Sequence, residues 1–144
     1  MTRRIGRLAL VRPSLLFALV AACGGSEDAL GPDQLGTPRA SAAVSPAGAT
    51  IARGGTTTAT VVFTASGGLK INQILVSRPF AGITIVDKSS RTEGTTITRV
   101  FIIGADNTIP AGEHQVNFKP SVTGYTGDMA PPITNAIFTL TVTE

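Results

Sequence analysis

The chain has 144 residues, 42% of them hydrophobic and 15% charged, enough for one domain of ordinary size and too few for two comfortable ones. It holds 16 Gly and 9 Pro but no Trp, one Tyr, one His and one Cys, so it is poor in the side chains that catalyse reactions or hold metals. The formal charge of +3 suggests a nucleic-acid surface until the charges are placed. Arg3, Arg4, Arg7 and Arg12 crowd the first twelve positions, whereas all nine acidic residues follow Ser26. Without that leader eight basic residues oppose nine acidic ones, a net charge of −1, and no nucleic-acid partner is expected.

Residues 1–22 read as a secretory signal peptide: an Arg-rich stretch, the uncharged run Ser14 to Ala22, and small residues at its end. Nine residues are too few to cross a bilayer, which takes about 20 apolar ones in a helix. The segment closes on Val20-Ala21-Ala22-Cys23, followed by Gly24-Gly25-Ser26. Here the chain resembles a bacterial lipoprotein precursor, in which a branched apolar residue and two small ones precede the cysteine that is lipidated. The resemblance implies cleavage between Ala22 and Cys23 and acylation of Cys23. It also implies an outer-membrane destination in a two-membrane host, because Gly24 stands where an Asp would favour retention in the inner membrane. Independently, Cys23 is the sole cysteine of a chain with an export signal, so no intramolecular disulfide can form.

Residues 23–40 hold the lipidated N-terminus and a Gly- and Pro-punctuated linker with Leu30 and Leu35 as its only large apolar side chains. Such a chain cannot build a core and has an r.m.s. span of about 20 to 25 Å. From residue 41 to 144 short Val-, Ile-, Thr- and Phe-rich runs alternate with turn-forming clusters, the pattern of an all-β sandwich. The pattern predicts strands at Ala42 to Val44 with Thr50 to Ala52, Thr57 to Ala65, Ile71 to Ser77, Ile83 to Asp87, Thr95 to Ile103, Glu113 to Lys119 and Ile133 to Thr143. These make about seven when the first, Pro-interrupted pair is counted once. Period-two alternation puts Ala59, Val61, Phe63 and Ala65 on one buried face, as it does Val116 with Phe118 and Phe138 with Leu140 and Val142. Val100 to Ile103 is apolar on both parities, so it is either a covered central strand or the start of an exposed patch. Turns are expected at Lys88 to Gly94 and, as the longest connection, at Pro120 to Pro132.

Val44-Ser45-Pro46, Thr50 to Thr56, Leu75 to Pro79 before Ala81-Gly82-Ile83-Thr84, Ile109-Pro110-Ala111-Gly112 and the Thr-alternating last strand give this region its likeness. It resembles the immunoglobulin-like and fibronectin-III-like β-sandwich modules of bacterial surface proteins. That resemblance implies a single antiparallel sandwich and carries no activity with it. The buried Trp and the disulfide of antibody domains are missing. His114 stands where such modules often carry a Tyr that ties down a corner loop, and a ring nitrogen could do the same.

Any Ser/His/Asp arrangement would have to be built on His114, whose parity matches Val116 and Phe118, so a structural role is the expectation. No metal site and no cofactor are expected; Asp106-Asn107 offers either two oxygens to Ca²⁺ or an Asx-type turn. Arg78, Lys88, Arg91 and Arg99 form a basic patch only if their strands adjoin. The Pro120 to Pro132 loop, with Thr123, Asp128, Met129 and Tyr125, the only Tyr in the chain, reads equally as a recognition tip or as a loop folded back on the sandwich rim. The chain therefore reads as a lipid-anchored cell-envelope protein with a non-catalytic binding or structural module. Its partners would be the membrane, through the N-terminal lipid, and an envelope protein or glycan. The competing readings are a carbohydrate-binding module, disfavoured because Trp is absent and Tyr125 is the single Tyr, and a small envelope hydrolase.

Overall fold

A computed structural model describes residues 36–78 and 80–144. The signal peptide, Cys23 and the linker up to residue 35 lie outside the described residues. Among the described residues nine strands form: β1 (Arg39–Ser45), β2 (Gly48–Ala52), β3 (Thr56–Ser66), β4 (Lys70–Ser77), β5 (Ile83–Glu93), β6 (Thr96–Ala105), β7 (Gly112–Thr123), β8 (Ile133–Thr134) and β9 (Ala136–Thr143). The first strand begins at Arg39, two residues before the expected domain boundary. Among the described residues no helix is long and apolar enough to cross a membrane.

The strands pack as two sheets, one ordered β5-β6-β3-β1-β8 and the other β2-β9-β7-β4. Nine strands stand where about seven were expected because the first and last predicted strands each divide between the sheets. Pro46 cannot donate to a ladder; the Ser45–Pro46 peptide is cis, and the chain leaves β3 there and joins β9 as β2. At the other end Asn135 separates β8, which pairs with β1, from β9. Both switched pieces, β1 with β8 and β2 with β9, pair in parallel, while the other pairings are antiparallel.

Phe63, Val61, Ile103, Val116, Phe118, Phe138 and Leu140 are fully buried between the sheets, as alternation predicts for β3, β7 and β9. Phe101 of β6 meets Phe118 of β7 across the layers, ring centroids 4.9 Å apart. Each such side chain contributes about 1.5 to 3 kcal/mol by leaving water, which is how a sandwich without a disulfide holds. Val100 and Ile102 occupy the outer face of β6 and are half-buried, and among the described residues no third layer covers them.

Two expected turns are strand in part. The polar run from Lys88 to Glu93 continues β5, with a register shift between Asp87 and Ser89, and the real turn is Gly94-Thr95 between the paired Glu93 and Thr96. Gly94 has a φ of +57°, which suits the first position of a two-residue hairpin. Similarly β7 runs on through Pro120, which pairs with Ile74, to Thr123. β9 leaves β7 at Phe118, so from there β7 has one neighbour and tolerates a proline.

The strand directions define two ends. At one end lie the entry of the chain at Arg39, which pairs with Ser66, the β3–β4 turn, the β5–β6 turn and the β7–β8 connection; Ala40 N–H donates to Pro132 O at 3.1 Å. At the other lie residues 53–55, 106–111 and the end of β9, joined by Arg53 N–H to Thr143 O at 3.1 Å and Gly54 N–H to Ala105 O at 2.8 Å.

Candidate functional site

The inner face of β6 should be wholly apolar, yet it reads Ile97, Arg99, Phe101, Ile103, Ala105. Arg99 is cross-strand partner to fully buried Val61, and Phe101 to Ala59, so they share the inward face. On β5 the same face carries Ile83, Ile85 and Asp87, opposite Ala105, Ile103 and Phe101. Two charges thus point between the sheets at the flank where β5 and β4 end their respective sheets. Arg99 Nη1 donates to Asp87 Oδ2 at 2.8 Å. Both side chains are about one-third exposed, and an ion pair so open to water is worth about 0.2 to 1 kcal/mol.

Here the sheets leave a cleft of about 300 Å³, lined by Val76 and Arg78 from the β4 side and by Ile85, Asp87, Arg99 and Phe101 from the other sheet. Arg78 is held across the mouth by donation from Nη1 to Ile83 O at 2.7 Å. Arg99 Nε is buried and has no partner among the described residues. Two guanidiniums therefore face one carboxylate over an apolar floor, an arrangement suited to a further anionic oxygen. Of the four cations considered for a basic patch, only Arg78 and Arg99 come together here; Arg91 pairs with Glu93 on its own strand, and Lys88 sits at the β5 irregularity.

The expected recognition loop shrinks to the segment between β7 and β8. Thr123 is the last residue of β7, paired with Lys70. Tyr125 is half-buried, and its hydroxyl packs over Gly127 of its own loop. Asp128 is exposed, and Met129 is 80% exposed. Thr123 is exposed as well, so three of the four candidate residues reach solvent.

At the opposite end His114 is buried on β7, with Nε2 2.8 Å from Pro110 O. The carbonyl only accepts, so Nε2 carries the proton. Phe80 stands edge-on to the imidazole at 4.6 Å, and Nδ1 has no partner. His114 thus ties the 106–111 corner to β7, the part that the sequence suggested for it. Asp106 Oδ1 accepts from Thr108 Oγ1 at 2.8 Å, Thr108 N–H at 2.8 Å and Ile109 N–H at 3.0 Å. These bonds, the Thr108 hydroxyl first, hold its carboxyl below the usual value of 3.8. This is the Asx-type turn. The Asp106 carboxylate lies against Gly82 and the Asn107 amide oxygen against Gly54, so the two oxygens address different loops. Among the described residues no three His, Cys, Asp or Glu side chains converge.

Of this site the sequence showed the loop residues and the corner histidine but not the cleft. Arg99 carried a usable signal, because it shares its parity with Phe101 and Ile103. The apolar run on both parities of β6 concealed which face mattered.

Strand order defines the class: β1, β3, β5 and β6 in one sheet and β4, β7 and β9 in the other is the arrangement of an immunoglobulin-like β-sandwich. No protein-family model matches the chain, and no curated protein does. Among solved structures, the chain is similar to the crystal structure of the S-layer protein rSbsC(31-844), at 15% identity and a TM-score of 0.45. The match covers 76% of this chain and 13% of that one.

Proposed function

We propose that the protein is a lipid-anchored component of the bacterial cell envelope that displays one non-catalytic, immunoglobulin-like binding or scaffolding module. The observation that carries the reading is the sequence Val20-Ala21-Ala22-Cys23 at the close of an Arg-rich and then apolar leader. Two or more acyl chains on Cys23 hold a protein durably at a membrane, whereas one gives reversible attachment. The linker then enters the sandwich at Arg39, at the end that carries the β7–β8 loop. An anchored domain would turn Asp128 and Met129 toward the membrane side. The 106–111 corner would face outward, and the Arg78–Arg99 cleft would open on the flank. In a two-membrane host, Gly24 directs the protein to the outer membrane.

The test is Cys23→Ser in the native host, read by fractionation and intact mass. The precursor should accumulate with its first 22 residues still attached. Normal cleavage with release to the aqueous fraction would remove the anchor from the account.

A further inference from the structure

The two strands that end their sheets on the cleft flank are not alike. β5 carries Asp87, Lys88, Arg91 and Glu93 and breaks its ladder at Lys88, the devices that keep an edge strand from pairing with other chains. β4 has neither charge nor proline from Ile71 to Ser77. Its ladder is irregular only between Ile71 and Gln73, which leaves Gln73–Ser77 as a regular stretch. Leu75 is 44% and Val76 37% exposed there. One side of this strand bonds to β7, and the other borders the cleft, where Arg78 and Arg99 face the single carboxylate of Asp87.

We propose that the free edge of β4 receives an added strand from a partner protein, an extended segment whose acidic side chain enters the cleft between Arg78 and Arg99. Main-chain bonds along Gln73–Ser77 would supply affinity, and the cleft would read one side chain of the added strand. Charge selects the occupant. A second copy of this chain pairing through β4 sets cation against cation, because Lys70 opens the strand and Arg78 follows it with no acid between. A carboxylate entering the cleft meets two guanidinium groups, those of Arg78 and Arg99. This site goes beyond the anchored-module reading and does not depend on lipidation of Cys23.

The experiment uses the full chain in detergent with a blocked hexapeptide of alternating Thr and Val ending in Glu, and the same peptide ending in Gln. Binding should slow amide hydrogen exchange along Gln73–Ser77, and the Glu peptide should bind about threefold to tenfold tighter than the Gln peptide. Arg78→Gln should abolish that preference. Asp87→Asn, which removes the competing carboxylate, should increase it and guards against misreading a folding defect in the first variant. Equal affinity of the two peptides, protection at β5 in place of β4, or no protection of β4 at millimolar peptide would overturn the proposal. So would a dimer by sedimentation whose β4 amides are already protected without peptide, which would make the occupant a second copy.

Discussion

Replacing His114 by Ala is expected to loosen the 106–111 corner. The loss has three parts in the structure. The hydrogen bond from Nε2 to Pro110 O at 2.8 Å goes, a net of about 0.5 to 1.5 kcal/mol. The edge-on contact with Phe80, centroids 4.6 Å apart, contributes about 0.5 to 1.5 kcal/mol more. Removing most of a side chain that is only 5% exposed leaves a void beside Phe80, and cavities of this sort are destabilising. Against these stands relief of the unpartnered Nδ1, so the sum is about 1 to 3 kcal/mol. Urea unfolding of the full chain in detergent should show a lower midpoint with an unchanged m-value. His114→Phe should recover the aromatic share and leave the Pro110 carbonyl unpaired, placing it between Ala and wild type. A His114→Ala change below about 0.5 kcal/mol, or a Phe variant no better than Ala, would refute the argument that this ring holds the corner.

Phe138→Ala, at a fully buried position where the two sheets meet, should lower stability by about 3 to 5 kcal/mol in the same unfolding experiment. Gly48→Val should weaken the β2–β9 pairing, because a Cβ there would lie 2.5 Å from the backbone oxygen of Thr139; faster exchange of the Gly48–Ala52 amides would report it, with a cost of about 1 to 3 kcal/mol. Asp106 has a depressed folded-state pKa, so its contribution is present above 3.8 and is lost as pH falls through the lower folded value. The stability gap between wild type and Asp106→Ala should accordingly be constant from pH 7 to 5 and close below pH 4, and a gap independent of pH would sink the turn assignment.

The sandwich was legible wherever a strand has one wet and one dry face. Ala59 to Ala65, Val116 with Phe118, and Phe138 to Val142 all sit as alternation places them, because burial imposes period two on the sequence. β5 beyond Asp87 was illegible for the converse reason: it is exposed on both faces, so Lys88 to Glu93 is uniformly polar and looks like a loop. Pro120 misled in a different way, since a proline marks a strand's end only where both of its edges are in use. The cleft depends on which strands end each sheet. Arg78, Asp87 and Arg99 come together through a crossover from one sheet to the other, and spacing along a chain does not encode that neighbourhood. His114 was readable because its place in the strand and the Pro-Ala-Gly before it are local.

The first strand's passage from one sheet to the other also sets how the module bears load. The chain enters at one end of the sandwich and finishes β9 at the other. A pull between these points therefore runs along the strands. β1 is held to β3 by seven residue pairs and β2 to β9 by five, and hydrogen bonds lying across the strands then resist together as a sheared clamp, where a peeled hairpin would lose them one by one. The same pull bypasses β4 and β5. Tension between residues 39 and 143 is thus borne by the β1–β3 and β2–β9 pairings, on the side of the sandwich away from the β4–β5 flank.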